Sequence, residues 1–309
     1  MADAQIADIS ADETGFTGSY VTAQDGLRLY LREYGSHNER ALTLVCLPGL
    51  SRNGADFHEI ATALATDARA PRRVITIDPR GRGRSDYDRD PANYSFSVEL
   101  ADVLAVLSAR EIGRAIVLGT SRGGVLAMLL GAARPGALAG VILNDIGPVI
   151  DPKGLMRIRG YVGKMPVPRS FEEGADILRR LGDAQFPGLD RASWLTQARR
   201  TWKVTNGGGL VPDYDLKLAT TLTSLDLERP IPALWGPFDS LARIPLMVVH
   251  GANSDILAGS TVSAMRARRT DLDVLEVADQ GHAPLLAERE VIGRIAAFIT
   301  FCDVTALGF

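Results

Sequence analysis

The 309-residue chain is poor in several things, and each shortage narrows what it can be. It has only two cysteines, Cys46 and Cys302, so no disulfide framework is indicated and a reducing, cytoplasmic setting is expected. It has no excess of one charge: 34 basic against 37 acidic residues give a formal net charge of −3. That leaves no basic field for nucleic acid and no strongly acidic one for cationic partners. Long hydrophobic runs are missing too. No stretch approaches the roughly 18 apolar residues that span a bilayer, so no membrane span is expected. Residues 1–19 carry Asp3, Asp8, Asp12 and Glu13 with no basic or apolar block, unlike a signal peptide; a flexible N-terminal arm is expected there. With four histidines in all, any chemistry that needs an imidazole has few candidates.

What is present is ordinary for a soluble globular enzyme: 46% hydrophobic and 23% charged residues. At this length roughly three quarters of the unfolded surface can be buried. Apolar β-type runs recur at Leu42–Leu47, Val74–Ile77, Ala115–Leu118, Ala139–Leu143, Pro245–His250 and Leu272–Val277. Helical spacing lies between most of them, as over Phe96–Ala109 and Glu288–Phe301. Strands alternating with helices imply an α/β fold with a mostly parallel sheet covered on both faces. Asp25-Gly26 between Tyr20–Thr22 and Leu27–Leu31 signals a leading hairpin. From about 148 to 240 the rhythm breaks into short helical pieces and a second hairpin around Asn206-Gly207-Gly208-Gly209, and all three tryptophans fall here. This segment reads as a lid inserted into a core formed by residues 20–147 and 241–309.

The most informative stretch is Gly119-Thr120-Ser121-Arg122-Gly123-Gly124, between the Ala115–Leu118 run and a helix-forming one. Strand, tight turn and helix with a serine at the apex form the G-x-S-x-G nucleophile elbow. A serine hydroxyl is a weak nucleophile and needs a base, which in turn needs an orienting acid. In parallel sheets such groups gather at the carboxyl ends of strands. His282 follows one such run. His37 lies in a polar turn, His58 in a helix and His250 within a strand, so His282 is the expected base. Asp255 follows the 245–250 run and is the expected acid, giving the chain order Ser, Asp, His. Asp145, after the 139–143 run, is the competing acid; its alternative role is to cap a turn or anchor the lid.

An oxyanion hole is expected from the backbone N–H groups of Arg122 and of Leu50, after Pro48-Gly49. The Arg122 side chain is read as pairing with a neighbouring acid rather than binding a substrate carboxylate. Arg80, Arg82 and Arg84 are read as solvated or paired with Asp78, Asp86 or Asp88, rather than as a phosphate site. Trp194, Trp202, Met156, Tyr161 and Met165 are candidate walls of a substrate pocket, with a place in the lid's own core as their alternative role.

With these motifs, and with Asp78-Pro79-Arg80-Gly81-Arg82-Gly83-Arg84-Ser85-Asp86, Gly251 to Asp255 and Gly281-His282, the chain resembles the α/β-hydrolase fold superfamily from about residue 20 to 301. Leu143-Asn144-Asp145-Ile146-Gly147-Pro148 looks like a bacterial subgroup of lid-bearing esterases and lactonases. The resemblance implies an eight-stranded sheet, a lid after the sixth strand and a cofactor-free hydrolase. Many relatives carry His-Gly where this chain has Pro48-Gly49; backbone donation survives that change, a histidine side-chain contact does not. The expected function is hydrolysis of small to medium carboxylic esters through a Ser121 acyl-enzyme. The alternatives on the same triad are lactone hydrolysis, C–C bond hydrolysis or aminopeptidase activity. Serine at 121 argues against haloalkane dehalogenases and epoxide hydrolases, whose relatives place an aspartate there. A non-catalytic small-ligand-binding module on the same scaffold is the reading from another class. The expected partner is a small-molecule ester, and a homodimer is left open.

Overall fold

A computed structural model describes residues 15–223 and 231–307. The sheet begins with β1 (Thr17–Thr22) and β2 (Arg28–Tyr34), antiparallel around the Asp25-Gly26 turn. Gly26 has φ +88°, a conformation open to glycine without steric cost. The expected arm over 1–19 lies outside the described residues as far as residue 14. Thr17–Ser19 belongs to β1 instead, where Ser19 pairs in register with Leu31.

β3 (Thr43–Leu47) follows, then α1 (His58–Ala65), β4 (Val74–Asp78), α2 (Phe96–Ala109), β5 (Ala115–Thr120), α3 (Arg122–Ala133) and β6 (Leu138–Asn144). After β6 come α4 (Pro152–Tyr161), α5 (Phe171–Gly182), α6 (Arg191–Thr201), a small hairpin of β7 (Trp202–Val204) and β8 (Leu210–Pro212), α7 (Thr220–Thr223) and α8 (Trp235–Asp239). β9 (Leu246–Gly251), α9 (Gly259–Arg268), β10 (Asp273–Val277) and α10 (Arg289–Leu307) complete the chain.

Eight strands form one sheet in the order β1-β2-β4-β3-β5-β6-β9-β10. β2 pairs antiparallel with β1 and β4, and the pairings from β4 to β10 are parallel. The fold is therefore the α/β-hydrolase fold. Every residue of β3, β4, β6 and β9 is buried, which is why these segments read as continuous apolar runs rather than alternating ones. One apolar layer packs α2 (Val103, Val106, Leu107) and α3 (Val125, Leu126, Met128) on one face of the sheet. The other packs α1 (Ile60, Ala61, Leu64) and α10 (Ile295, Phe298, Ile299, Cys302) on the opposite face. Among the described residues no helix is long and apolar enough to cross a membrane.

The elements between β6 and β9 carry a small core of their own, built on Ala175, Ile177, Trp194, Ala198, Trp202 and Leu210. Their helices start on side-chain caps. Asp151, Ser170 and Asp190 accept from Lys153, Glu173 and Ser193 N–H respectively, satisfying donors that a helix start leaves without partners.

Candidate active site

The sheet order puts β5, β6, β9 and β10 side by side, so the loops leaving their carboxyl ends share one rim. Ser121 leaves β5 with φ +51°, a left-handed conformation that costs a non-glycine residue energy and that a tight elbow imposes. Its N–H donates to Asn144 O at 3.0 Å, and its carbonyl accepts from Gly124 N at 2.9 Å. Both flanking glycines are required by close approach. A Cβ on Gly119 would strike the Gly123 carbonyl, and one on Gly123 would strike the Leu47 carbonyl of β3.

Ser121 Oγ lies 2.8 Å from His282 Nε2, and His282 Nδ1 lies 2.8 Å from Asp145 Oδ2. Nδ1 donating to the carboxylate leaves Nε2 to accept from the serine hydroxyl. Asp145 is fully buried and well supplied with donors: Gly251 N–H gives to Oδ1 at 2.9 Å and the Ser254 hydroxyl gives to Oδ2. Gln185, between α5 and α6, accepts the His282 backbone N–H through Oε1 at 3.3 Å.

The expected acid, Asp255, is not the partner of His282. Arg157 of α4 takes it with two parallel bonds, Nε to Oδ2 at 2.7 Å and Nη2 to Oδ1 at 2.8 Å. Burial raises the Asp255 carboxyl, but hydrogen bonds from Arg157 and Gln185, with the Arg157 charge, outweigh it and hold the group below its ordinary value. The correction has a simple geometric cause. Asp145 directly follows the last residue of β6, at the rim. Asp255 lies four residues beyond β9, across a turn closed by Ser254 N to Gly251 O.

Leu50 lines the cavity in front of Ser121, and a Cβ on its neighbour Gly49 would sit 3.8 Å from the Ser121 Cβ. Arg122 is the first residue of α3, so its N–H has no intrahelical acceptor. The Arg122 side chain turns away from the chemistry: Nε gives to Glu99 Oε2 at 2.7 Å, Nη2 gives to Tyr94 O at 2.9 Å, and the guanidinium lies 4.1 Å from the Phe96 ring centre. Arg80 binds Asp102, Asp25 and Asp88, Arg82 binds Glu99, and Arg84 donates to the Tyr30 hydroxyl at 2.9 Å. Of the partners expected for these arginines, Asp88 is one; Asp78 and Asp86 take Arg32 and Arg28 instead.

A cavity of about 230 Å³ opens over Ser121 and His282. Tyr161, Met165 and Trp194 line it as expected, with Leu178, Phe186 and Leu189. Trp202 does not. It is fully buried in the inserted segment's own core, and Met156 is 55% exposed on the outside. The cavity also has a polar end that sequence reading did not anticipate: Arg52 bridges Asp56 to Gln197 and Thr201, beside the Arg157–Asp255 pair. No motif marks these residues; they come together only through packing of α4 and α6 on the core.

Comparison with known proteins agrees with this architecture. The chain is 32% identical over 289 residues to the 3-hydroxybutyrate-oligomer hydrolase of Cupriavidus necator, covering 88% of this chain and 93% of that one. It is 27% identical to the sn-1-specific diacylglycerol lipase ABHD11 of Mus musculus, over 77% of this chain and 74% of that one. Among solved structures, an alpha/beta hydrolase from Novosphingobium aromaticivorans superposes with a TM-score of 0.82 at 37% identity, covering 93% of this chain and 99% of that one. The profile of the Alpha/beta hydrolase family matches residues 44–294, and the chain belongs to that family.

Proposed function

We propose that this hydrolase cleaves carboxylic esters of small to medium size through an acyl-enzyme on Ser121. The observation that carries the reading is the unbroken line Ser121 Oγ, His282 Nε2, His282 Nδ1, Asp145 Oδ2, with 2.8 Å at both hydrogen bonds, opening into a largely apolar cavity. His282 takes the hydroxyl proton as Oγ attacks the ester carbonyl. The carbonyl electrons move to oxygen, which the N–H groups of Leu50 and Arg122 receive. On collapse the C–O bond to the alcohol breaks, and His282 returns the proton to the leaving oxygen. Water then repeats the sequence: His282 takes its proton, hydroxide adds to the acyl carbon, and Ser121 leaves with the proton restored. Asp145 holds the imidazole tautomer and stabilises its transient charge.

The elements between β6 and β9 act as the lid, and they set the acyl pocket with Met165, Leu178, Phe186 and Trp194. The curated relative acting on 3-hydroxybutyrate oligomers supports an ester substrate with polar ends. Such a chain suits a cavity whose walls are largely apolar and whose lining also includes Arg52, Asp56 and Gln197. Hydrolysis of p-nitrophenyl esters from acetate to dodecanoate, of simple lactones and of 3-hydroxybutyrate dimers, with wild type and Ser121→Ala, tests the reading. Ester turnover that drops by about a millionfold in the mutant is expected; equal activity in both proteins overturns it.

A further inference from the structure

The two residues whose backbone N–H groups are assigned to the oxyanion belong to different loops, one after β3 and one after β5. A single buried carboxylate ties them together. Glu99 is 2% exposed and sits in the first turn of α2. Its Oε2 accepts from Arg122 Nε and its Oε1 from Arg82 Nη1, both at 2.7 Å. Arg82 Nε donates in turn to the Leu50 carbonyl at 2.7 Å. The path from one donor residue to the other is therefore Leu50, Arg82, Glu99, Arg122, with each link a charge-assisted hydrogen bond. Glu99 is itself fixed, its N–H bonded to Ser95 O at 3.0 Å on a helix capped by Ser95. Phe96, stacked on Arg122, and the Tyr94 carbonyl close the cluster.

We infer that Glu99 is a positioning residue that sets the spacing of the Leu50 and Arg122 N–H groups and thereby the stabilisation of the oxyanion. This rests on the acyl-transfer reading above. Stability alone is a weak reason to bury one carboxylate between two guanidiniums, because desolvation of the charges offsets much of their attraction and apolar packing can serve as well. A fixed distance between two loops is a stronger reason. The carboxylate has two acceptor oxygens in one rigid plane, and here each oxygen holds a different loop.

Glu99→Gln keeps the volume but presents an N–H₂ to one of the guanidiniums. The test compares wild type and Glu99→Gln on p-nitrophenyl butyrate, alongside inhibition by an alkyl trifluoromethyl ketone, whose serine adduct places an oxyanion in the hole. The expected result is a fall in kcat of about tenfold to a thousandfold, reaching at its upper end the roughly hundredfold to thousandfold cost of losing a single donor outright, with KM unchanged. Inhibitor affinity should fall by the same factor as kcat/KM. A purely structural role would lower the yield or melting temperature of the protein without that parallel loss. Should Glu99→Gln fail to fold, Arg122→Gln gives the same reading, since it releases only one arm and leaves the Glu99–Arg82 pair in place. Wild-type kcat in a folded variant, or a lower kcat with unchanged inhibitor affinity, overturns the inference. A wild-type enzyme that neither turns over the ester nor binds the ketone through Ser121 overturns the hydrolase reading instead, and the inference with it.

Discussion

Asp145 Oδ2 receives the Nδ1 hydrogen bond of His282 at 2.8 Å, and it does so from a fully buried position fixed by Gly251 and Ser254. This makes the two aspartates at the rim separable by experiment. Asp145→Asn can present an amide N–H₂ to Nδ1 and so favour the wrong tautomer; kcat should fall about ten-thousandfold.

Asp255→Asn should behave differently, because what it loses is the partner of Arg157. The pair ties α4 of the inserted segment to the core, and half-buried charged pairs of this kind cost about 1–3 kcal/mol when one side is removed. A lowered melting temperature is expected, with kcat kept within about tenfold because the triad itself is untouched. Kinetics and thermal melts on both variants decide the matter; the reverse ranking in kcat would return the acid role to Asp255.

The confusion between these two residues shows where sequence reading stops. The elbow was legible because Gly119, Ser121 and Gly123 satisfy a local steric demand visible in six consecutive residues. The strands were legible because burial on both faces leaves uninterrupted apolar runs. The acid was not, since both Asp145 and Asp255 follow a strand and both satisfy the order Ser, Asp, His. What separates them is that the rim residue directly after β6 reaches His282, whereas the residue beyond the Gly251–Ser254 turn meets an arginine of α4, 98 positions away in sequence. Trp202 and Met156 failed as pocket residues for a related reason: which face of a short inserted helix or strand looks inward depends on packing against the core. Pairings such as Arg52 with Gln197 or Arg82 with Glu99 are long-range, and no local spacing encodes them.

The elbow makes a backbone prediction. Gly123→Ala would drive a Cβ into the Leu47 carbonyl of β3, where neither partner is a flexible side chain. Soluble expression and activity should both collapse. Gly113→Ala is the matched control, with nothing within 4 Å of the added methyl; its stability should stay within about 1 kcal/mol of wild type. Chemical denaturation of the two variants checks the contrast, and a well-folded, active Gly123→Ala would refute the elbow geometry.

The acyl pocket makes a selectivity prediction. Met165 lines the cavity and packs on the small core of the inserted segment. Met165→Trp should shorten the space available to an acyl chain while leaving Ser121 and His282 alone. The ratio of kcat/KM for octanoate to that for acetate should fall by at least about tenfold, a discrimination typical of one or two methylenes in an apolar pocket. An unchanged ratio across the ester panel would mean that acyl chains lie elsewhere.

Asp213 links the inserted segment to the core, accepting from Asn53 Nδ2 at 2.8 Å and pairing with Lys203 at 3.2 Å. Burial raises its carboxyl from 3.8 to about 6, more than Lys203 lowers it. The folded state therefore holds a proton over a pH range in which the unfolded chain has released it. The sign follows from that difference: this group favours folding most below about 4, loses that contribution as pH rises from about 4 to about 6, and gives a constant handicap above. Asp213→Asn cannot lose a proton and so escapes the handicap. Its melting temperature relative to wild type should climb between pH 4 and 6 and then level off, with a span of at most about 3 kcal/mol. Melts of both proteins across that range measure the slope directly. A difference independent of pH would show that Asp213 titrates in the folded protein as it does in the unfolded chain. One that shrinks as pH rises would show that the Asn53 and Lys203 contacts hold its carboxyl below the ordinary value instead of burial holding it above. Either outcome overturns the prediction.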